Sequence, residues 1–315
     1  MTMTVRFLHL SDLHLSTLSG IQRRRIRGKR VLGFLSWHRR RRHEHHPSVV
    51  QALLRTVREL DWDQTLITGD LTHLGFPEEF QETLDWLRQL GTPKSVAVVP
   101  GNHDAYAREP WEHTFSHWEP YISGDEPGAA FPSLRVRGPV AFLGLSTAKP
   151  TLPFMATGEL GQQQRDALGR MLDITARQGL FRVVYLHHPP LPRGDKWRKR
   201  LVDDGALQRV LHEHGAELIL HGHIHRARQH WFETLSGTFP VISLGSSSAI
   251  GRHDEAGSFA EFEVTCPTDT KGPKHWHLSH TQWRWQSARG IFQPGPRQNW
   301  TLKRDDITNP DQAGA

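Results

Sequence analysis

Cysteine is nearly missing from this chain: Cys266 is the only one in 315 residues. A single thiol excludes an intrachain disulfide framework and fits a reducing compartment. Long apolar runs are missing too. No stretch reaches the ~20 consecutive apolar residues that a membrane-crossing helix needs. The first residues, Met1-Thr2-Met3-Thr4-Val5-Arg6-Phe7-Leu8, show neither the basic region nor the apolar core of a secretion signal. The expectation is a soluble, cytoplasmic protein, peripheral on the inner face of the membrane at most. There is no internal repeat and no linker-like stretch. Hydrophobic residues make up 37% and mean hydropathy is -0.55, yet this length still supplies one sizeable core. The sequence therefore predicts one domain over 1–290, with an Arg-rich insertion at about 19–46. A tail over 291–315, rich in Pro, Gly, Gln and Asp, is expected to be loose.

The net charge of +6 is concentrated in one place. Between Ile21 and His46 there are ten Lys/Arg and one acid, Glu44, so the rest of the chain is mildly acidic. A uniformly basic domain would suggest nucleic acid, whereas a basic appendage on an acidic body suggests a local patch. Within it, Val31-Leu32-Gly33-Phe34-Leu35-Ser36-Trp37 is an apolar heptad flanked by arginines. That composition suits an interfacial arm on an anionic membrane over 21–42. It equally suits a helix packed on the domain, with its arginines solvated or gripping substrate phosphates. Arg193, Lys196, Arg198, Lys199 and Arg200 form a second basic run that suits either a rim for an anionic substrate or a solvated helix start.

Apolar patterning predicts strands at Val5–Leu10, Gln64–Thr68 and Val96–Val99, with helices from Pro47 to near Asp61 and from Pro77 to Gly91. Strand–helix–strand alternation of this kind indicates a parallel sheet covered by helices. A hairpin is expected around Gly138-Pro139, helices over 158–178 and 201–214, and buried strands at Val183–Leu186 and Leu218–Leu220. The last third alternates at 241–244, 259–264 and 275–285, which predicts antiparallel strands.

Five polar clusters stand at the ends of predicted strands: Asp12-x-His14, Gly69-Asp70, Gly101-Asn102-His103-Asp104, His187-His188-Pro189 and Gly222-His223-x-His225. They supply carboxylate, amide and imidazole donors without thiolate, a set that suits Mn, Fe, Co, Ni or Zn. The donors are too many for one tetrahedral ion, and two metals sharing a carboxylate would use them all. On an extended strand end, residues i and i+2 point the same way, so each D-x-H or H-x-H pair can reach one site.

In this order the clusters resemble the calcineurin-like metallophosphoesterase family, whose pattern is D-x-H, G-D, G-N-H-D/E, a histidine, and G-H-x-H. The resemblance covers roughly Val5 to Leu244, and Gly158-Glu159-Leu160-Gly161 adds a likeness to the bacterial phosphodiesterase branch. It implies an α/β fold, a four-layer α/β/β/α sandwich with mixed sheets and a dinuclear site at the strand ends. It implies one metal held by Asp12, His14, Asp70 and His225, and a second held by Asp70, Asn102, His187 and His223. His103 and Asp104 take the catalytic places, Asp104 behind His103 to orient its ring, and His188 is a neighbour. The implied activity is phosphodiester hydrolysis by a metal-activated hydroxide, on a cyclic nucleotide or related substrate. The basic apolar segment raises a pyrophosphatase on a lipid-linked nucleotide, such as UDP-diacylglucosamine, as an alternative. A non-catalytic metal-binding scaffold that docks on membrane or protein is an alternative of another class. His103 argues against the scaffold, which has no need of it.

Overall fold

The computed structural model describes residues 2–126, 128, 131–191, 196–267 and 274–304. The apolar runs near the start form three neighbouring parallel strands, β1 (Thr2–Leu10), β2 (Gln64–Ile67) and β3 (Val96–Val98). Between them lie α1 (Lys29–Arg39), α2 (Pro47–Glu59) and α3 (Pro77–Leu90). A single turn, α4 (Glu119–Ile122), precedes the antiparallel hairpin β4 (Ser133–Arg137) and β5 (Val140–Gly144). There follow α5 (Gln162–Arg177), β6 (Phe181–Tyr185), α6 (Asp204–His214), β7 (Leu218–His221), β8 (Arg228–Thr234) and β9 (Gly237–Ser243). The long strands β10 (Ser258–Pro267), β11 (Lys274–Gln286) and β12 (Ile291–Arg304) complete the fold.

Two six-stranded sheets result, in the orders β12-β11-β10-β1-β2-β3 and β4-β5-β6-β7-β9-β8. Their facing sides meet over Phe7, Phe142 and Phe262, with Phe7 stacked on Phe262 at 5.0 Å and edge-on to Phe142 at 5.2 Å. Each such fully buried aromatic contributes ~1.5–3 kcal/mol. α2 and α3 cover the outer face of the first sheet through Val49, Leu53, Phe80 and Leu87. α5 and α6 cover the second through Leu168, Leu172, Leu207 and Leu211. The expected four-layer α/β/β/α sandwich with mixed sheets is therefore the architecture.

Two details depart from expectation. β9 runs parallel to β7, and its antiparallel partner is β8, a strand whose polar alternation gave no clear signal. The stretch expected to be loose from 291 forms β12 instead, paired with β11 from Ile291 opposite Gln286 to Lys303 opposite His275. Phe292 and Leu302 anchor it to the core. Its prolines are tolerated because β12 is an edge strand, and Pro294 sits beside a register shift between Thr281 and Trp283. Residues 305–315 of the expected tail, and Arg193 of the second basic run, lie outside the described residues.

The basic segment is a helix packed on the domain. Phe34 and Trp37 of α1 pack against Leu18, Leu74, Phe76 and Tyr106, and Gly33 is pressed against the Tyr106 ring. Val31, Leu32 and Leu35 stay exposed on the other face. Among the described residues, no helix is long and apolar enough to cross a membrane.

Candidate metal centre

The register of the parallel strands places the chain's polar clusters side by side. Leu10 pairs with Ile67, and Ile67 with Val98, so Asp12, Asp70 and Asn102 emerge at one edge. In the second sheet, Tyr185 pairs with Leu220, which brings His187 and His223 to the same edge. The side chains do not converge by the pleat of an extended strand, as the spacing alone suggests. Five of the seven candidate ligands have left-handed backbone: Asp12 (φ 51°), His14 (44°), Asp70 (56°), His223 (71°) and His225 (53°). Such a conformation costs ~1–3 kcal/mol at a non-glycine residue and gathers at functional sites. Two glycines admit the close approach of these loops. A Cβ on Gly101 would overlap the Asp70 carboxylate, and one on Gly222 would overlap Ser11 and Asp12.

All seven sequence-predicted ligands are brought together. Donor atoms of Asp12, His14 and His225 lie within 4.8 Å of one another, as do those of Asp12, Asp70 and His187. His187 Nε2 is 3.1 Å from Asn102 Oδ1, 3.1 Å from His223 Nδ1 and 3.4 Å from Asp70 Oδ2. Each of the four imidazoles has one nitrogen tied away from the centre. His14 Nδ1 faces Thr72 O at 2.8 Å, and His187 Nδ1 faces Thr68 O at 2.6 Å. His223 Nε2 faces Lys199 O at 2.9 Å, and His225 Nδ1 faces Asp254 Oδ2 at 3.1 Å. Donation of that N–H to an oxygen fixes the tautomer and leaves the other nitrogen free to ligate. His14 Nε2 is indeed buried without a hydrogen-bond partner, and Asp12 Oδ1 faces only His225 Nε2, at 3.2 Å. This donor set, oxygen and neutral imidazole with an orphaned nitrogen at its centre, fits two divalent or trivalent transition-metal ions.

Electrostatics couple the same groups in pairs, and a bound metal would displace the proton that each carboxylate holds on its imidazole. Burial disfavours charge on Asp12 and Asp70, but His225 and His187 hold both below the usual carboxylate range. Burial likewise disfavours charge on His225 and His187, yet the same carboxylates push them up to about 9.

His103 stands beside the ligands, its backbone N–H donating to Asp70 Oδ1 at 2.7 Å. Asp104 does not orient the His103 ring. Its carboxylate accepts the backbone N–H groups of Leu71 (3.0 Å), Thr72 (2.9 Å), Asp70 (2.9 Å) and Gly101 (2.9 Å), and the Thr72 hydroxyl at 3.0 Å. Five donors saturate both oxygens, so Asp104 clamps the Asp70 loop to the Asn102 loop. Burial and the Asp70 charge push its carboxyl up to about 7, against the pull of those N–H groups. The His103 ring is oriented instead by His73 O, 2.6 Å from Nδ1, and is stacked on Tyr106. Burial and nearby Arg41 hold it neutral. His188 lies near His187 and His223, but its two ring nitrogens are occupied by Thr147 Oγ1 (2.7 Å) and Ala156 O (3.2 Å).

Sequence reasoning missed five residues at or beside the site. Arg41, from the basic segment, brings Nη1 to 2.9 Å from His103 Nδ1. Glu44 fixes that end of the segment by accepting backbone N–H groups of Gly251, Arg252, His253 and Asp254. His45 and Asp254 gather around His225, and His73 stacks on His14 at 5.0 Å. A cleft of about 350 Å³ opens from His14 and His45 between Trp37, Val50, Leu54 and Trp86.

The comparisons with known proteins agree with this geometry. The family model for calcineurin-like phosphoesterases matches residues 5–227, and the chain belongs to that family. It is similar to a probable cyclic nucleotide phosphodiesterase of Synechococcus sp., 28% identical over 179 residues. That match covers 56% of this chain and 63% of the relative, less than two thirds of its length. A dimetal phosphatase of Danio rerio is similar in structure, with a TM-score of 0.59 and 14% identity over 96% of this chain and 99% of that one. At that identity the likeness bears on the fold alone.

Proposed function

We propose that this chain is a dinuclear-metal-dependent hydrolase of phosphodiesters, cyclic nucleotides among them. Asp12, His14, Asp70 and His225 would hold one metal, and Asp70, Asn102, His187 and His223 the other. When bound, the pair supplies Lewis acidity toward a phosphoryl oxygen and a water acidified to near neutrality. The chain's own residues do the rest. Thr72, Thr68 and Lys199 carbonyls and the Asp254 carboxylate hold the four imidazoles in their ligating tautomers. Asp104 fixes the spacing between the loops of Asp70 and Asn102. With Nδ1–H tied to His73 O and the ring neutral, His103 presents Nε2 as a base that takes a proton from the attacking water and then passes it to the leaving alkoxide; such help is worth ~10²–10⁴ in rate. Arg41 offers a guanidinium beside it for a phosphoryl oxygen.

One observation carries this reading: four imidazoles, each tied at one nitrogen, close around two buried carboxylates. The test is hydrolysis of bis-p-nitrophenyl phosphate with Mn²⁺ against a chelator-treated control. Turnover that chelation abolishes and metal restores supports a hydrolase. No turnover with any of Mn, Fe, Co or Zn returns the scaffold reading. A lipid-linked nucleotide is the second reading, carried by the exposed Val31, Leu32 and Leu35 of α1 beside the arginines that flank them. Liposome co-sedimentation tests that face; equal recovery in the supernatant with neutral and anionic vesicles removes it.

A further inference from the structure

Beside His225 lies a second cavity, of about 780 Å³, larger than the apolar cleft. Its walls carry five Lys/Arg side chains, Arg40, Lys196, Lys199, Arg226 and Arg228, and two carboxylates, Asp254 and Glu255. Both carboxylates are engaged. Asp254 accepts from Arg40 Nη2 at 2.9 Å and faces His225 Nδ1 at 3.1 Å, while Glu255 accepts the Ala227 N–H at 2.9 Å. Among the described residues, Lys196, Lys199, Arg226 and Arg228 have no carboxylate partner. Unpaired cations on one concave wall make an anion-binding field. The cavity adjoins the centre through His225, whose other nitrogen, Nε2, is 3.2 Å from Asp12 Oδ1. The basic segment therefore serves two places with adjacent residues: Arg40 lines the cavity and Arg41 reaches His103.

We propose that this cavity is a second anion subsite, taking a phosphate of the substrate other than the one hydrolysed. The proposal rests on the hydrolase reading and narrows its substrate class. The favoured phosphodiester carries a further phosphate, either across a diphosphate bridge or as a separate ester. A neutral or apolar substituent has the cleft lined by His14, Trp37 and Trp86. Lys199 also ties the two sites together, because its backbone carbonyl holds His223 while its side chain faces the cavity.

The experiment uses the full chain with Mn²⁺ and two substrate pairs that differ by one phosphate. The diadenosine dinucleotide ApA against pApA tests a separate phosphate ester. The p-nitrophenyl ester of thymidine monophosphate against that of the diphosphate tests a bridge. In at least one pair kcat/KM should favour the extra phosphate by about ten- to hundredfold, the worth of one charge-assisted hydrogen bond. The Lys199→Ala/Arg228→Ala variant should lose that preference. Should the variant fail to fold, raising salt from about 0.05 to 0.5 M with the unaltered chain should erode the preference by screening. Equal rates within both pairs, or a preference indifferent to both the variant and salt, overturns the subsite. If neither pair nor bis-p-nitrophenyl phosphate is hydrolysed, the hydrolase reading fails, and calorimetric binding of the same pairs then decides the subsite alone.

Discussion

Asp104→Asn separates two jobs that one carboxylate could have. Oδ1 accepts Leu71 N, Thr72 N and Thr72 Oγ1; Oδ2 accepts Asp70 N and Gly101 N. Asparagine keeps one oxygen and turns the other into an NH₂ group. In its better orientation, two buried backbone N–H groups then lose their acceptor and face another donor. Each costs ~1–3 kcal/mol, so the variant should be less stable by ~2–6 kcal/mol. Taking ~3 kcal/mol and ~2–4 °C of Tm per kcal/mol for a large domain, melting should fall by about 6–12 °C. Calorimetry reads the melting, and hydrogen exchange reads the location: the amides of Asp70, Leu71, Thr72 and Gly101 should lose protection first. Metal content should fall with them, because Asp70 and Asn102 are displaced. Unchanged melting and protected amides together with lost turnover would refute the clamp and restore Asp104 as the partner of His103.

Further expectations divide between site and scaffold. His103→Ala should keep its metal and lose ~10²–10⁴ in turnover, whereas Asp70→Ala should lose both; elemental analysis beside bis-p-nitrophenyl phosphate rates distinguishes them, and full activity in His103→Ala removes that role. Arg182 and Glu217 form a fully buried bidentate pair, at 2.9 and 2.6 Å, so Glu217→Gln should destabilise by ~3–5 kcal/mol. Burial alone would raise the Glu217 carboxyl, but Arg182 and Arg304 hold it below its ordinary 4.5. Its contribution is therefore full above about that pH and is lost as pH falls through the folded value, so the gap between the two chains should shrink on acidification. Denaturant titrations from neutral pH to about pH 3.5 test the sign; a gap that widens contradicts it. Ending the chain at Ser287 removes β12 and leaves β11 as a long free edge, which should aggregate. A monodisperse truncated chain with unchanged melting would show that β12 contributes nothing.

What could be read in the sequence was set by local pattern. Asp12 and His14, or His223 and His225, lie two residues apart at the end of an apolar run, and the end of a buried strand needs no tertiary knowledge to be recognised. Their converging geometry was not legible, because left-handed backbone at five non-glycine candidate ligands is imposed by the surrounding loops and opposes local preference. Asp104 misleads for a related reason: it follows His103 directly, but three of the four backbone N–H groups that claim its oxygens lie more than thirty positions away. Arg41 is indistinguishable from Arg39, Arg40 and Arg42 until Glu44 pins the segment to residues 251–254. His45, His73 and Asp254 carry no motif, and only packing gathers them. The β12 segment was hidden by Pro294, Gly295 and Pro296, residues that break a central strand and are accepted at an edge.

The central claim is that two metals held by these loops make the chain a phosphoester hydrolase. Elemental analysis of the full chain after reconstitution, paired with its bis-p-nitrophenyl phosphate rate, tests it most directly. The prediction is about two transition-metal ions per chain, the site's implied stoichiometry, with turnover rising as the second is bound. Undiminished turnover by chain stripped of metal would contradict it.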